Sequence, residues 1–507
     1  MRGTTVPIKP TATHAGAKLS SRCKSTDRQS APRRRVRGTR SAYSCDVTSS
    51  ARNAILVSSV AAMGGFLFGF DTAVINGAVD AIRHHFALST TTTGLAVACA
   101  LIGSAIGAWL AGGLANRLGR VRVMVIAAAL FTVSSLGAGC AFSVWDFIAW
   151  RVIAGMGVGV ASVIAPAYIA EVAPAHLRGR LGSLQQLAIV LGIFVALLTD
   201  FFFAHAADGA SATLWLGGAA WRWMFIAGVV PSIVYGALAL RIPESPRFLV
   251  GCGQRDAAAV VLREMLGDID VDAKVAEIAS SVEREHAPSL RDLRGPRFGL
   301  LGIVWVGVAL SMLQQLVGIN VIFYYSTTLW HSIGLSEADA MTISVVTSIV
   351  NIAVTIVAIA LVDRIGRRPL LLVGSAGMTL CLAAMAWSFA HGVETSGALR
   401  LAPPFGTVAL VAANGYVVFF GVSWGPVVWV LLGEMFSNRI RAAALAVAAA
   451  AQWGANFVVS VSFPALASTL GLAASYAMFA AFAALSYAFV MRYIRETRGR
   501  ELEDMHD

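Results

Sequence analysis

An acidic residue lies inside an apolar stretch of the sequence. Residues 68–72 read Phe-Gly-Phe-Asp-Thr, which places the carboxylate of Asp71 among apolar neighbours. Where such a stretch crosses a membrane, a carboxylate costs about 2.5–3.5 kcal/mol and therefore faces a cavity or a partner. Arg151 lies in a later apolar stretch. Counted back from the outer ends of the two predicted helices, Asp71 lies about 12 Å deep and Arg151 about 8 Å deep, so the two side chains are at similar depths. Arg151 is thus the predicted partner of Asp71.

The chemistry of such a pair is proton uptake and release. A neighbouring arginine favours the charged carboxylate, and this preference is lost when the two groups separate. A conformational change that parts Asp71 from Arg151 would then drive proton uptake, and renewed pairing would drive release. The alternative is a static ion pair that only fixes two helices together, although a buried pair is weak evidence for a role in stability.

A second group of polar side chains in the apolar stretches is uncharged. Residues 314–320 read Gln-Gln-Leu-Val-Gly-Ile-Asn, and Tyr324 and Tyr325 follow. Other stretches add amide and aromatic side chains, namely Gln186, Asn351, Trp429, Gln452 and Trp453. Amides supply hydrogen-bond donors and acceptors, and aromatic faces stack on C–H groups, so the set suits a neutral polyhydroxylated ligand such as a sugar. For a single amide the alternative is a hydrogen bond that joins two helices.

The composition indicates which elements position these residues. Of 507 residues, 57% are hydrophobic and 13% charged, with a mean hydropathy of +0.71, whereas soluble domains carry about 25% charged residues. Twelve apolar runs are long enough to cross a bilayer, which takes about 20 residues each. They cover residues 55–79, 94–113, 122–142, 147–170, 181–204, 221–241, 299–325, 341–362, 369–390, 405–432, 442–464 and 471–493. Because the runs are continuous rather than alternating, we predict an all-α membrane protein with twelve transmembrane helices.

One sequence pattern occurs once in each half of the chain. Residues 116–120 read Asn-Arg-Leu-Gly-Arg, and residues 363–367 read Asp-Arg-Ile-Gly-Arg. Each copy is followed by a glutamate with an arginine seven residues later and then by another glutamate: Glu171, Arg178 and Glu244 in the first half, and Glu434, Arg441 and Glu496 in the second. A parallel repeat of six helices is the architecture of major-facilitator-type secondary transporters, which bind substrate between two six-helix bundles near the bilayer midplane.

The charged residues of this pattern are predicted to form a cytoplasmic gate. Its members are Arg117, Arg120, Glu171, Arg178, Glu244, Arg247, Asp363, Arg367, Glu434 and Arg441. They would form pairs that hold the inner ends of the bundles together when the carrier opens outward, and these pairs would break when it opens inward. The alternative is topological, since arginine is expected in cytoplasmic loops in any case.

Arginine is unevenly distributed between the short loops. The loops after predicted helices 2, 4, 8 and 10 carry ten arginines, whereas the opposite loops carry only Arg83, Arg222 and Arg400. This asymmetry places both termini in the cytoplasm. The net charge of +11 lies almost entirely in residues 1–52, which hold 12 Lys or Arg and 2 acids. We interpret that segment as a disordered basic tail and not as a nucleic-acid-binding element, with a transit peptide or an anchor to anionic lipid as the alternatives.

Four parts of the chain follow from these patterns. They are the tail at 1–52, an N-terminal bundle at 53–242, a cytoplasmic helical linker at 243–297, and a C-terminal bundle with a short cytoplasmic tail at 298–507. The six cysteines show no ligand spacing, so we predict neither a metal site nor a disulfide. The sequence shows no nucleophile beside a base and no phosphate-binding loop, so neither an enzyme nor a cofactor is predicted.

Several motifs are typical of one family. They are residues 70–75 (Phe-Asp-Thr-Ala-Val-Ile), 243–247 (Pro-Glu-Ser-Pro-Arg), 423–432 (Ser-Trp-Gly-Pro-Val-Val-Trp-Val-Leu-Leu), 451–453 (Ala-Gln-Trp) and 496–499 (Glu-Thr-Arg-Gly). With these motifs the chain resembles the sugar porter family of the major facilitator superfamily over nearly its whole length after the tail. The resemblance is closest to the bacterial D-xylose/proton symporters of that family.

The resemblance implies roles for individual residues. The residues that would line the sugar site are Phe68, Gln186, Gln314, Gln315, Asn320, Tyr324, Asn351, Trp429, Gln452 and Trp453. Asp71 would be the proton-coupling acid, with Arg151 as its partner. Glucose facilitators of the family carry Asn at that position, so the acid favours symport over uniport.

Three departures from the xylose symporters bear on coupling and on the choice of sugar. Those symporters carry a second coupling glutamate where this chain has Gly228. They also carry Gln and Leu where this chain has Ile193 and Phe323, as glucose carriers do. Ile193 lies two helical turns after Gln186 on the same face, so an apolar side chain there removes a hydrogen-bond partner. A hexose is therefore at least as favoured as xylose.

These observations together predict a secondary active transporter in the inner (cytoplasmic) membrane of the cell. It would import a neutral monosaccharide, a hexose or xylose, by proton symport through alternating access, and would work as a monomer in the lipid bilayer. Two alternatives remain open. One is a proton-independent sugar facilitator, and the other is a transport-dead sugar sensor, which would need a long folded cytoplasmic domain.

Overall fold

The computed structural model describes residues 43–174, 177–267, 270–284, 293–295, 299–395, 398–436 and 440–496. Most of the predicted basic tail, part of the predicted linker and the last residues of the chain lie outside the described residues. Within the described part, α1 begins at Tyr43, so its first turns overlap the end of the predicted tail.

The first half of the chain forms helices of very different lengths. They are α1 (Tyr43–Ala73), α2 (Ile75–His85), α3 (Thr90–Leu118), α4 (Arg120–Gly139), α5 (Val144–Val172), α6 (Arg178–Ala207), α7 (Ala220–Ala227) and α8 (Val229–Ala239). Three short helices follow, α9 (Pro246–Gly251), α10 (Arg255–Leu266) and α11 (Val271–Arg284). A single 3₁₀ turn at Trp215–Gly217 precedes α7.

The second half repeats this plan. Its helices are α12 (Gly302–Leu316), α13 (Ile319–Ser332), α14 (Glu337–Ile365), α15 (Arg367–Ala390), α16 (Phe405–Val422), α17 (Trp424–Met435), α18 (Arg441–Thr469) and α19 (Gly471–Tyr493). One element departs from the all-helical expectation: strands β1 (Val393–Thr395) and β2 (Ala398–Arg400) form a short antiparallel hairpin between α15 and α16.

Twelve helical segments in the described residues are long and apolar enough to cross a membrane, which confirms the predicted fold class. Four of these spans consist of two helices each. Span 1 is α1 with α2, span 6 is α7 with α8, span 7 is α12 with α13, and span 10 is α16 with α17. Span 7 breaks at Gly318, whose φ of +85° suits glycine, and a Cβ there would come within 2.8 Å of the Phe479 ring.

The spans pack as two groups. In the N-terminal group α1 packs on α5 and α6, and α3 and α4 pack on α5. In the C-terminal group α15 packs on α16 and α19, and α12 packs on α18. The groups meet where α3 contacts α18 and where α6 contacts α14. We call the end of the molecule that holds the α3–α4 and α14–α15 turns the arginine-rich end, and the other end the opposite end.

Candidate functional site

Asp71 on α1 and Arg151 on α5 form an ion pair. Arg151 Nη1 donates to Asp71 Oδ1 at 2.6 Å and to the backbone oxygen of Asp71 at 3.2 Å. Only 3% of the Arg151 side chain and 12% of the Asp71 side chain are exposed. The guanidinium carbon lies 5.7 Å from the centroid of the Phe225 ring, which is within the range of a cation–π contact. The structure thus brings the two groups together inside the N-terminal bundle.

A small cavity connects this pair with two of the aromatic residues singled out in the sequence. Asp71 and Arg151 line it together with Phe68 of α1 and Tyr324 of α13. Because α1 and α13 belong to different bundles, the cavity lies at the boundary between the two halves. An acid that can carry a proton and the aromatic residues of a predicted ligand site therefore share one space.

A second cavity reaches the pair from the side of span 6. Its lining includes Asp71, Ser135 of α4, Phe225 of α7 and Gly228 at the break between α7 and α8. A Cβ at position 228 would lie 2.8 Å from Ser135 Oγ and 3.1 Å from the Phe225 backbone oxygen. Position 228 therefore faces the same space as Asp71, but the neighbouring atoms leave little room for a side chain there.

The amides of span 7 form a chain of hydrogen bonds across the break in that span. Asn320 Nδ2 donates to Gln315 Oε1 at 2.6 Å, and Gln315 Nε2 points to Gln314 Oε1 at 3.4 Å. Gln314 Nε2 in turn donates to the backbone oxygen of Trp424 at 2.7 Å, which is the first residue of α17. In this conformation Gln314 therefore joins spans 7 and 10, as in the alternative interpretation of a lone amide.

Aromatic side chains from the two bundles meet beside these amides. The ring centroids of Phe68 and Trp453 lie 5.7 Å apart with an interplanar angle of 56°. Gln452 is buried, and its Oε1 has no hydrogen-bond partner among the described residues. The indole of Trp429 on α17 is 43% exposed, so part of its surface is uncovered. An amide oxygen without a partner suits a ligand hydroxyl.

The remaining candidates are on three further helices. Gln186 on α6 is half-buried, and Ile193, two turns along, is buried against α1. Asn351 on α14 is buried, and its backbone oxygen accepts from Thr355 Oγ1 at 2.8 Å. Phe323 on α13 is buried at the contact with α2. Gln186 and Ile193 belong to the N-terminal half, and Asn351 and Phe323 to the C-terminal half.

A hydrogen-bonded contact between α2 and α13, absent from the sequence-based prediction, closes the opposite end. Asn76 Nδ2 donates to the Phe323 backbone oxygen at 2.8 Å, and Thr327 N donates to Asn76 Oδ1 at 3.0 Å. Thr327 Oγ1 also donates to the backbone oxygen of Asn76 at 2.6 Å. We call this set the α2–α13 contact. The signal in the sequence was an isolated asparagine in an apolar run five residues after Asp71.

A second inter-bundle hydrogen bond lies at the same end. The backbone N–H of Ala210, in the loop after α6, donates to Glu337 Oε1 at 2.9 Å. Glu337 is the first residue of α14, so this bond ties the N-terminus of span 8 to the N-terminal bundle. Together with the α2–α13 contact it holds the two halves together at the opposite end.

The repeated charged pattern has the same geometry in both halves. Arg120 Nη2 lies 2.9 Å from Glu171 Oε1, and Arg367 Nη2 lies 2.9 Å from Glu434 Oε1. Each of these two ion pairs lies within one bundle, whereas the predicted gate pairs were to join the bundles. Glu171 also accepts from Ser245 Oγ.

The last glutamate of each pattern binds a helix N-terminus. Glu244 Oε1 accepts from the backbone N–H of Arg120 at 2.8 Å, and Glu496 Oε1 accepts from that of Arg367 at 3.0 Å. A carboxylate is favourable there because the first N–H groups of a helix lack partners. The preceding glycines, Gly119 and Gly366, have φ of +92° and +102°, and any Cβ would collide with the bound carboxylate. Glycine is therefore required at both turns.

The other five predicted gate residues are described only in part. Arg117 is exposed at the end of α3. Arg247 lies in α9. The side chains of Arg178, Asp363 and Arg441 lie outside the described part of the structure.

Twelve spans in two packed groups, a repeated loop geometry and a polar site between the groups define a membrane transporter of the major facilitator fold. The model of the family described as sugar (and other) transporters matches residues 57–507. The chain belongs to this family, and it is a multi-pass membrane protein.

Two similar proteins are named as sugar carriers. The glucose transport protein of Synechocystis sp. (strain ATCC 27184 / PCC 6803 / Kazusa) is 55% identical over 459 residues, which cover 90% of this chain and 98% of that protein. The D-xylose-proton symporter of Escherichia coli (strain K12) is 36% identical over 481 residues, with 89% and 94% covered. Of these two relatives, the glucose carrier has the higher identity.

Solved structures give the same fold. A proton:xylose symporter bound to 6-bromo-6-deoxy-D-glucose has a TM-score of 0.75 and 36% identity, covering 90% of this chain and 99% of that chain. The inward open conformation of a xylose transporter from E. coli also has a TM-score of 0.75, with 35% identity and 89% and 98% covered. The predicted family and fold are therefore confirmed.

Proposed function

We propose that this protein imports a neutral monosaccharide together with a proton by alternating access. The observation that carries this proposal is the cavity shared by Asp71, Arg151, Phe68 and Tyr324. It places a carboxylate that can change its protonation state beside the region where amide and aromatic side chains of both bundles converge. A relative, the D-xylose-proton symporter of Escherichia coli, is named for the same pair of substrates.

The conformation fits one step of such a cycle. The α2–α13 contact and the Glu337–Ala210 hydrogen bond close the opposite end. The excess of arginine in the loops of the other end favours a cytoplasmic location for that end. In our proposal the opposite end therefore faces away from the cytoplasm, both termini are cytoplasmic, and the protein works as a monomer in the inner membrane.

The proposed sugar ligands are those amide and aromatic side chains, and no catalytic role is proposed. They are Phe68, Gln186, Gln314, Gln315, Asn320, Tyr324, Asn351, Trp429, Gln452 and Trp453. Gln314 is the exception in this set, because its amide is bonded to α17; in our proposal it holds span 7 against span 10 and makes no direct contact with the sugar. The orphaned Oε1 of Gln452 is the acceptor best placed to receive a sugar hydroxyl.

Proton coupling is tested by adding sugar to proteoliposomes that contain the purified protein. We expect alkalinisation of the outer solution as sugar moves inward down its own gradient. Downhill sugar movement without alkalinisation would support the second candidate function, a proton-independent facilitator. The observation that favours this second candidate is Gly228, because that position faces the Asp71 cavity and carries no acid.

We predict that a hexose binds at least as tightly as xylose. Ile193 and Phe323 present apolar side chains where an additional hydrogen-bond partner would otherwise reach the sugar, and both are buried. The relative with 55% identity is named a glucose transport protein. The measurement is counterflow in proteoliposomes with xylose, glucose, galactose and a polyol. Tight xylose binding with no measurable glucose or galactose binding would show that these two positions do not determine the preference.

Replacement of Gln315 should weaken sugar binding. The Gln315→Ala change removes an amide that is proposed to bind the sugar directly, and loss of a buried hydrogen-bond partner costs about 1–3 kcal/mol. The matched control is Gln314→Ala, because Gln314 is an adjacent buried amide whose donor is occupied by Trp424. Calorimetric binding to both folded variants should show a larger loss for Gln315→Ala. Equal affinity of Gln315→Ala and the unmodified protein would refute the assignment.

A further inference from the structure

Asp200 on α6 is a second buried carboxylate, and the proposed function does not use it. Only 1% of the surface of Asp200 is exposed. Asp200 Oδ2 accepts from the backbone N–H of Gly77 at 3.2 Å. Asp200 Oδ1 has no hydrogen-bond partner among the described residues. A single weak backbone donor is thus its whole hydrogen-bonding environment in the described part of the chain.

The ionisable groups on the elements that pack against α6 are engaged elsewhere or lie apart. The elements are α1, α2, α5, α7 and α14. At this end of the molecule their ionisable groups, with the histidine of α6 itself, are Asp71, Asp80, Arg83, His84, His85, Asp146, Arg151, Arg222, Glu337, Asp339 and His205. Asp71 and Arg151 pair with each other. Arg222 donates to the backbone oxygens of Gly139 and Ala141, and His205 stacks on Phe201. Among the described residues, none of these cations pairs with Asp200.

An ionised carboxylate in such a place is far less favourable than a neutral one. Burial without a cation penalises the charge itself, whereas the neutral acid leaves at most one hydroxyl without an acceptor. The same reasoning identified Asp71 as needing a partner, and Asp71 has one. Asp200 has only the N–H of Gly77. We propose that Asp200 is a second proton-binding site of this protein, occupied when the opposite end is closed.

The position of Asp200 links its proton to the α2–α13 contact. Gly77, which Asp200 touches, directly follows Asn76, which makes the hydrogen bonds to Phe323 and Thr327. A Cβ on Gly77 would lie 2.6 Å from the Cβ of Asp200, so α2 rests directly on this side chain. Helix α2 is therefore held by α13 on one side and by Asp200 on another.

The direction of coupling follows from this arrangement. Closure of the opposite end buries Asp200, so closure favours the protonated acid. Opening moves α2 away from α13 and gives water access to this side of α2, which favours release of the proton to that water. Low pH thus stabilises the closed opposite end, and high pH favours its opening. The use of this proton in transport rests on the proposed function, but the protonation of Asp200 does not.

Infrared spectroscopy of the purified protein tests the protonation directly, without sugar or a membrane gradient. At neutral pH we expect a carbonyl stretching band of a protonated carboxylic acid that is lost in Asp200→Asn, a neutral side chain of nearly the same size. The band should persist in Asp71→Asn. It should also persist in Glu337→Gln, the matched control, because Glu337 is exposed. An unchanged band in Asp200→Asn would overturn the proposal.

Spin-label distances test the link to opening. Labels at His84 on α2 and Ala338 on α14, both exposed, report the separation of the bundles at the opposite end once the native cysteines have been replaced. In the Asp71→Asn background, raising the pH should lengthen this distance. Adding Asp200→Asn should remove the pH response and keep the short distance at every pH. An equal pH response in both proteins would contradict the link.

Discussion

Asp71→Asn should abolish uphill accumulation of sugar driven by a pH gradient. Asparagine keeps the oxygen that accepts from Arg151 Nη1 at 2.6 Å, so the helices remain joined, but the side chain no longer takes up a proton. Without an exchangeable proton at the buried pair beside the proposed sugar site, sugar movement is no longer coupled to the proton gradient. The measurement is the steady-state ratio of internal to external sugar in proteoliposomes with an imposed pH gradient, which should fall to one.

The same variant should retain the functions that need no proton. Sugar binding should persist, and so should exchange of sugar between equal pools, because neither step requires net proton movement. Persistence of exchange separates a coupling defect from misfolding. Glu337→Gln is the matched control, because it neutralises another inter-bundle acid and should leave accumulation intact. Accumulation by Asp71→Asn at the unmodified level would show that the Asp71–Arg151 pair is structural.

Of the single replacements at the buried pair, loss of Arg151 should lower the free energy of unfolding most. Arg151→Met leaves the carboxylate of Asp71 buried without its cation, and breaking a buried ion pair on one side costs about 3–5 kcal/mol. The double variant Arg151→Met with Asp71→Asn buries no unpaired charge and should recover most of the lost free energy of unfolding. Thermal unfolding of the detergent-solubilised protein measures both.

An exposed arginine provides the comparison. Arg117 is exposed at the end of α3, so Arg117→Met should change stability by no more than about 0.5 kcal/mol. A double variant that is no more stable than Arg151→Met alone would mean that the loss arises from packing against Phe225 and not from charge. In that case the pair would not be the source of the stability at this site.

The spans and the family were predictable because each depends on a strong local signal. Apolar runs of about 20 residues identify transmembrane helices irrespective of their neighbours. The repeated loop pattern also had a definite physical meaning, since Gly119 and Gly366 allow the glutamates of the same pattern to reach helix N-termini. Because the residues of this motif bind one another, they occur together in both halves and the pattern is visible in the sequence.

Partners that come from distant parts of the chain were not predictable in this way. The spacing of Arg120 and Glu171 does not say whether they pair within a bundle or between bundles, and the structure places them within one. Nothing near Gln314 in the sequence indicates that its amide bonds to Trp424. The contact of Asn76 with Thr327 joins residues 251 positions apart. The first two contacts depend on how helices pack within a bundle and the third on how the two halves are docked, and no local pattern encodes either.

The amide chain of span 7 affects how tightly the proposed site binds a sugar. Asn320 and Gln315 already bond to each other at 2.6 Å, so a sugar hydroxyl that takes the place of either partner in this bond exchanges one hydrogen bond for another. An exchange of one hydrogen bond for another gives little net free energy. The resulting affinity is modest, and modest affinity shortens the residence time of the sugar. A protein that must release every molecule it binds gains turnover from amides that are already hydrogen-bonded to each other.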